Sequence, residues 1–374
     1  MPASHMEKLK ICFVVPEYNL ETATHFYSIY KMLDLLAQSA DIFLIAERGK
    51  GDSAGFKKFI QKFHFLPLRW LENLILLAKA RMSGCQNFYI HYSFVAAFNA
   101  SLISGILGGK VFYWNCGLPW LYRKNFLRNQ LERLAYRFID FLVTGTESLK
   151  KEYAAHYAIR ENKIKVMPNW VDIEKIKNQK SKIKIGEIKQ ELKIPEDAKV
   201  LLFVHRLSQR KGAHYLPEIL KALQDENAVL VVIGDGPERE SIKSQITNYK
   251  LLDKVRFLGW VPNNQLPYYY AAADLFIMPS DEEGFPHVLL ESMAAAVPFV
   301  ASDIGGVREI TPEPMHSYLA RVGDTGQFAD KVKALLYKKP SDLALMKILL
   351  LDWVKRYDIR NSAAAFIKII QTAD

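Results

Sequence analysis

Short apolar runs alternate along the chain with longer amphipathic stretches. The runs Leu9–Pro16, Asp41–Glu47, Asn87–Ser93, Lys110–Asn115, Asp140–Gly145 and Lys163–Asn169 are brief and bounded by polar residues, Gly or Pro. Runs of this length fit buried β-strands. Helical spacing fills the gaps between them, first around Ala23–Ala37. Such alternation predicts a parallel sheet with helices on its faces. The pattern pauses in the Lys-rich region Lys175–Lys193. It restarts with Lys199–Arg206, Ala228–Gly236, Lys254–Val261, Asp274–Ser280 and Pro298–Asp303. The chain therefore reads as α/β with two units, divided near Asn169–Ile173. The last stretch, Asp352–Thr372, reads as helix, and there is no tandem repeat or low-complexity tract.

Composition narrows the class. The chain has 374 residues, 50% hydrophobic and 24% charged, which suits two globular cores and excludes a disordered chain. Cys12, Cys85 and Cys116 lie far apart, so neither a disulfide framework nor a zinc cage is expected, and a reducing cytosol is the default. No secretory signal is visible, and the opening MPASHM reads as an expression remnant. Tyr92–Gly109 is the least charged stretch. Its Asn99, serines and glycines favour a buried helix over a membrane span.

Charge changes the picture more. Residues 1–170 hold 22 Lys/Arg and 13 Asp/Glu, a net of +9, whereas residues 171–374 hold 28 and 27, a net of +1. A basic first half predicts an anionic neighbour such as a phospholipid surface, a lipid phosphate or a nucleic acid. Phe56, Phe59, Ile60 and Phe63 recur at helical spacing, with Lys57, Lys58 and Lys62 opposite and Arg69–Trp70 just beyond. A basic amphipathic segment of this kind could lie on an anionic membrane. An ordinary sheet-covering helix is the alternative.

In parallel sheets, ligands bind beyond the carboxyl ends of the strands, and two facing units would leave a cleft there. After the first strand of the second unit comes RLSQRKG, with Arg206 and Lys211 beside Gly212. Two cations near a helix start suit a diphosphate. The next strand ends in GDGPERE. Gly234 and Gly236 would let backbone approach a ligand, with a plain tight turn as the alternative, and the third Gly of a dinucleotide fingerprint is missing. Val261 follows another strand and would offer its backbone to a base edge, or simply end the strand. Tyr268, Tyr269 and Tyr270 read as packing. In EGFPHVLLE, Ser280 or Asp281 would cap a helix and Pro286 would sit in its first turn. Glu283 would precede that helix and Glu291 would lie within it. Carboxylates accept hydrogen bonds, so each suits sugar or ribose hydroxyls. The amides of Gly284 and Phe285 suit phosphate.

HRLSQRKG, GDGPE, LGWV, VMPNWVD and EGFPHVLLESMAAAVPFVASDIGGVREI together resemble glycosyltransferase family 4, the glycosyl transferases group 1. The resemblance implies a GT-B fold. Two Rossmann-like domains, 7–170 for the acceptor and 171–351 for the donor, would face across a cleft, and a C-terminal helix, 352–374, would cross back to the first domain. It implies a retaining, metal-independent transferase that moves a sugar from a nucleoside-diphosphate-sugar to a glycan or lipid-linked glycan. No cofactor or metal is expected, and no nucleic-acid partner. Arg206 and Lys211 would hold the diphosphate, Glu283 the transferred sugar, and Glu291 the ribose. Gly284, Phe285 and Leu289 would add backbone contacts. His91 stands roughly where family members carry a His after the fourth strand of the first domain, and would lie near the transferred sugar, with a His satisfied by backbone as the alternative. The enzyme would work in the cytoplasm, at the inner face of the membrane. The chain departs from the family in PEYNLETATHF, which lacks paired glycines, and in WNCGLPW. A sugar-nucleotide epimerase and a non-catalytic anionic-surface module are the competing readings.

Overall fold

The computed structural model describes residues 8–19, 26–50, 55–63, 65–180 and 183–372. Two units separate, one of residues 1–168 with 360–374 and the other of residues 169–359. The opening hexapeptide and Ala23–His25 of the first predicted helix lie outside the described residues, and that helix is described over Phe26–Leu36.

The first unit holds a seven-stranded sheet of β1 (Leu9–Val15), β2 (Ala40–Ala46), β3 (Lys57–Ile60), β4 (Asn87–His91), β5 (Lys110–Trp114), β6 (Phe141–Thr144) and β7 (Ile164–Val166), in the order β3-β2-β1-β4-β5-β6-β7. Every described pairing is parallel, as in Val14 opposite Ile45 and Ile90. All five β4 residues are buried. Helices on both faces leave a central strand no polar side, which explains its near-continuous apolar sequence.

The second unit holds β8 (Lys199–Val204), β9 (Ala228–Ile233), β10 (Val255–Gly259), β11 (Leu275–Met278), β12 (Phe299–Ser302) and β13 (Leu319–Ala320), in the order β10-β9-β8-β11-β12-β13. Strand order reverses between β1 and β4 in one sheet and between β8 and β11 in the other. A parallel sheet opens a ligand crevice at such a point.

Two strands escape the sequence pattern. β13 has two residues, too few for any periodicity. β3 lies in the segment with helical spacing at Phe56, Phe59, Ile60 and Phe63, so the amphipathic helix expected there is not formed. Instead Lys57–Ile60 pairs with Phe43–Ala46 as an edge strand, and Phe59 stacks on Phe43 at 4.7 Å. Lysines on an edge strand discourage further strand pairing. A second difference concerns 94–107. That helix buries Ala96, Ala97, Asn99 and Ala100 but exposes Leu102 and Ile106, so it is buried on one face only.

The predicted terminal helix is broken. One helix ends at Val354, a 3-10 turn follows, and Ile359–Gln371 forms another. Phe366 of this last helix is 1% exposed, stacks on Phe13 at 5.3 Å and meets Tyr89 edge-on at 4.7 Å. Deleting a buried ring removes both its transfer energy and its contacts. Phe366→Ala should therefore lower the stability of the first unit by about 3 kcal/mol or more. Urea unfolding measures this, and an unchanged midpoint would contradict the packing described.

Candidate active site

The site is built from backbone contacts first. β8 and β11 are neighbours at the reversal point, so the residues after Val204 and Met278 emerge side by side. Gly212 closes the first of these loops with φ +62°. A Cβ at that position would stand 1.7 Å from the carbonyl oxygen of Pro279. Only glycine permits both the conformation and the approach. The carbonyl of Arg210 accepts the N–H of Asp281 at 3.0 Å and that of Glu282 at 3.3 Å. The two loops are thus locked through main chain, which leaves their side chains to converge.

They converge on Glu283. Lys211 Nζ donates to Glu283 Oε1 at 2.7 Å, and Ser280 Oγ donates to the same oxygen at 3.0 Å. His205 Nε2 stands 3.0 Å from Oε1. That nitrogen makes no hydrogen bond. The Glu283 side chain is 5% exposed. Burial alone would push its pKa up, but Lys211 and His205 outweigh that and hold the carboxyl well below the usual range. Burial, then Lys211, pushes the His205 imidazole down against the pull of Glu283. All three neighbours meet Oε1, which leaves Oε2 to accept hydroxyl protons. The cation predicted for phosphate and the acid predicted for sugar are therefore one ion pair. Arg206 is exposed at the mouth of the same loop.

The helix after this loop starts later than its sequence predicts. It spans His287–Ala294 with Pro286 at the N-cap and no side-chain cap. Ser280 is drawn to Glu283 instead, and Asp281 stays in the loop. An uncapped N-terminus presents N–H groups and the positive end of the helix dipole. Leu289 and Phe285 are buried, and the Phe285 carbonyl accepts from Asn169 Nδ2 at 2.9 Å. The Gly284 carbonyl backs onto Gly306, where a Cβ would come within 2.2 Å. The expected glycines of GDGPE have the same kind of reason. A Cβ on Gly234 would meet the His205 carbonyl at 2.0 Å, and one on Gly236 the Leu207 carbonyl at 2.3 Å. They bind the β9 turn to the loop carrying His205 and Arg206. Val261 is buried just after β10.

Glu291 lies within the helix, half-buried, and accepts from Tyr270 Oη at 3.1 Å. Burial pushes its pKa from the ordinary 4.5 to about 7, against the opposing pull of Tyr270 and Lys175. Tyr270 is thus a polar partner as well as a packing residue. Sequence reasoning passed over His205, and it read Ser280 as a helix cap and Tyr270 as packing rather than as partners of the two glutamates. The signal for His205 was available, since it follows β8 directly. Ser280 and Tyr270 carry no local signal, because their roles depend on which strand and helix become neighbours.

His91 belongs to the first unit, at the end of β4 and the reversal point of that sheet. It is 2% exposed among aromatic rings, with Tyr89 at 5.1 Å and Trp114 at 5.6 Å. Tyr92, the next residue, has φ +56°. A bulky residue in the left-handed region marks local backbone strain, which clusters at functional sites.

The raised Glu291 pKa makes stability depend on pH. Between about pH 4.5 and 7 the folded chain holds this proton and the unfolded chain does not. Stability therefore falls as pH rises through that window. Glu291→Gln should flatten this fall in urea-midpoint profiles, and identical slopes for variant and parent would contradict the burial effect.

Residues 184–347 match the family described as Glycosyl transferases group 1. An uncharacterized glycosyltransferase of Methanocaldococcus jannaschii is 34% identical over 170 residues, 45% of this chain and 44% of that protein. The Escherichia coli UDP-Gal:alpha-D-GlcNAc-diphosphoundecaprenol alpha-1,3-galactosyltransferase is 30% identical over 172 residues, 44% of this chain and 43% of the relative. The matched segment thus spans about half the length of such relatives. The Anabaena protein HepE, solved in complex with UDP-glucose, superposes with TM-score 0.78 at 20% identity over 97% of this chain and 100% of its own. Residues 184–347 are therefore similar to the glycosyl transferases group 1 family, in a chain of the GT-B fold.

Proposed function

We propose that this protein is a retaining, metal-independent glycosyltransferase that moves a sugar from a nucleoside-diphosphate-sugar to a glycan or lipid-linked glycan. The observation that carries the reading is the Lys211–Glu283 pair at the β8/β11 reversal point. A cation and an acid on one atom pair fit the junction between a donor's diphosphate and its sugar. HepE in complex with UDP-glucose and a relative named for a diphosphoundecaprenol-linked substrate support the donor and acceptor classes.

In this reading Lys211, Arg206 and the uncapped N–H groups of His287 and Val288 receive the charge that develops on the departing diphosphate. Two fixed cations would do the work that a divalent metal does elsewhere. Glu283 Oε2 accepts hydroxyls of the transferred sugar. The amides of Gly284, Phe285 and Leu289 and the turns at Gly234 and Gly236 would border the diphosphate. Val261 would border the base, and Glu291 would accept the ribose hydroxyls. The bond from anomeric carbon to diphosphate oxygen breaks and one to the acceptor oxygen forms on the same face. The acceptor's proton leaves with the diphosphate.

The proposed setting is the cytoplasmic face of an anionic membrane. Cys12, Cys85 and Cys116 are all buried free thiols, which agrees with a reducing compartment. No helix among the described residues is long and apolar enough to cross a membrane.

Lys211→Ala and Arg206→Ala should each weaken nucleoside diphosphate binding about 10- to 100-fold by calorimetry, the size of a lost charge-assisted contact. Glu283→Ala should leave diphosphate affinity within a few fold while abolishing transfer. Transfer by Glu283→Ala at the parental rate would refute its role. Gly212→Ala, which touches no ligand, should mimic Lys211→Ala by parting the two loops. Product anomers read by NMR test retention directly, and inversion would refute it.

A further inference from the structure

The first unit carries an apolar surface that its own core leaves uncovered. Along Leu66–Met82, the residues Leu68, Leu71, Ile75 and Met82 are exposed, while Asn73, Leu77 and Ala80 are buried. The exposed set is spaced i, i+3, i+7, i+14, one stripe of a helix. The adjacent helix Phe94–Leu107 contains no charged residue, yet its outer side exposes Leu102 and Ile106. A helix apolar on all sides is expected to be enclosed, and this one is half open. The third helix, Phe126–Phe138, exposes Leu127, Leu131 and Phe138.

These faces adjoin. Asn99 Nδ2 donates to Trp70 O at 3.3 Å and to Asn73 Oδ1 at 2.9 Å, joining the first helix to the second. Phe98 meets Phe138 edge-on at 6.1 Å, joining the second to the third. Apolar faces of this extent on a folded unit mark interaction sites.

Charge selects the partner. Residues 66–138 hold nine Lys/Arg and two Asp/Glu, a net of +7. Both acids are occupied internally. Glu72 accepts the N–H groups of Lys62 and Phe63, and Glu132 accepts from Lys124 Nζ and Tyr157 Oη. Arg123, Arg128, Arg133 and Arg137 are exposed along the third helix and the turn before it. Pairing this face with a second copy would bring two such basic sets together, which opposes self-association. An anionic bilayer offers acyl chains to the apolar stripe and phosphates to the arginines at once.

We infer that the outer face of helices 66–82, 94–107 and 126–138 is a membrane-docking surface for anionic lipid. This deepens the function proposed above and rests on its lipid-linked acceptor. It also moves the contact from Lys57, Lys58 and Lys62, which the sequence pattern favoured, to the three helices.

Vesicle sedimentation tests it without any substrate. The full chain should pellet with phosphatidylcholine vesicles containing phosphatidylglycerol and remain in the supernatant with phosphatidylcholine alone. The double variant Ile75→Asn/Ile106→Asn, and separately Arg133→Glu/Arg137→Glu, should each lower partitioning about tenfold or more, as expected when several basic or apolar contacts are lost. Lys57→Ala/Lys58→Ala should partition as the parent does. Parental binding by both face variants overturns the inference. So does a concentration-dependent dimer in sedimentation velocity that the Ile75→Asn/Ile106→Asn variant abolishes. Nucleoside diphosphate affinity, measured in parallel, should stay parental in every variant. Its absence from the parent chain would refute the donor reading while the vesicle result still judges this surface.

Discussion

The approach of Gly212 to the Pro279 carbonyl is the constraint on which the candidate site depends. It is a main-chain contact with no room for a side chain, and it sets the spacing between the loops after β8 and β11. That spacing puts Lys211 and His205 within reach of one carboxylate oxygen. A buried acid among polar donors is costly unless it is paired. The pairing is therefore what allows Glu283 to remain ionised in a nearly closed position. The glycines at 234, 236 and 306 repeat the device on the flanking loops, so four strand ends share one rigid frame. A site held by backbone in this way keeps its geometry when side chains exchange partners.

Much of this was legible in the sequence, for identifiable reasons. Interior parallel strands such as β9 are apolar throughout, and runs of this kind let eleven of the thirteen described strands announce themselves. β3 did not, because four residues with two lysines and a coincidental i, i+3, i+4, i+7 set imitate a helix. Glu283, Lys211, Arg206 and Glu291 stood out because charges at strand ends are conspicuous. What could not be read was their pairing. Assigning Lys211 to phosphate and Glu283 to sugar was a separation made along the chain, and the fold brings the two to 2.7 Å. The cap was misread for a similar reason, since Ser280 has a better partner in three dimensions than the helix N-terminus.

The two units divide the work by charge and by surface. The second is nearly neutral overall and carries its polar groups inward at the ends of β8, β9 and β11. The first is basic and carries apolar side chains outward on three helices. Under the proposed function, a soluble donor and a lipid-linked acceptor would call for these two chemistries. The uncovered side of helix 94–107, which sequence reasoning took as buried, belongs to the surface proposed to meet lipid.

The central claim is that the Lys211–Glu283 pair receives the phosphate–sugar junction of an activated saccharide. A crystal structure of the protein with a nucleoside-diphosphate-sugar tests it most directly. The account predicts sugar hydroxyls within hydrogen-bond distance of Glu283 Oε2 and diphosphate oxygens on Lys211 and Arg206. A donor bound away from the β8/β11 loops, with Lys211 still on Glu283 and neither touching the ligand, would contradict it.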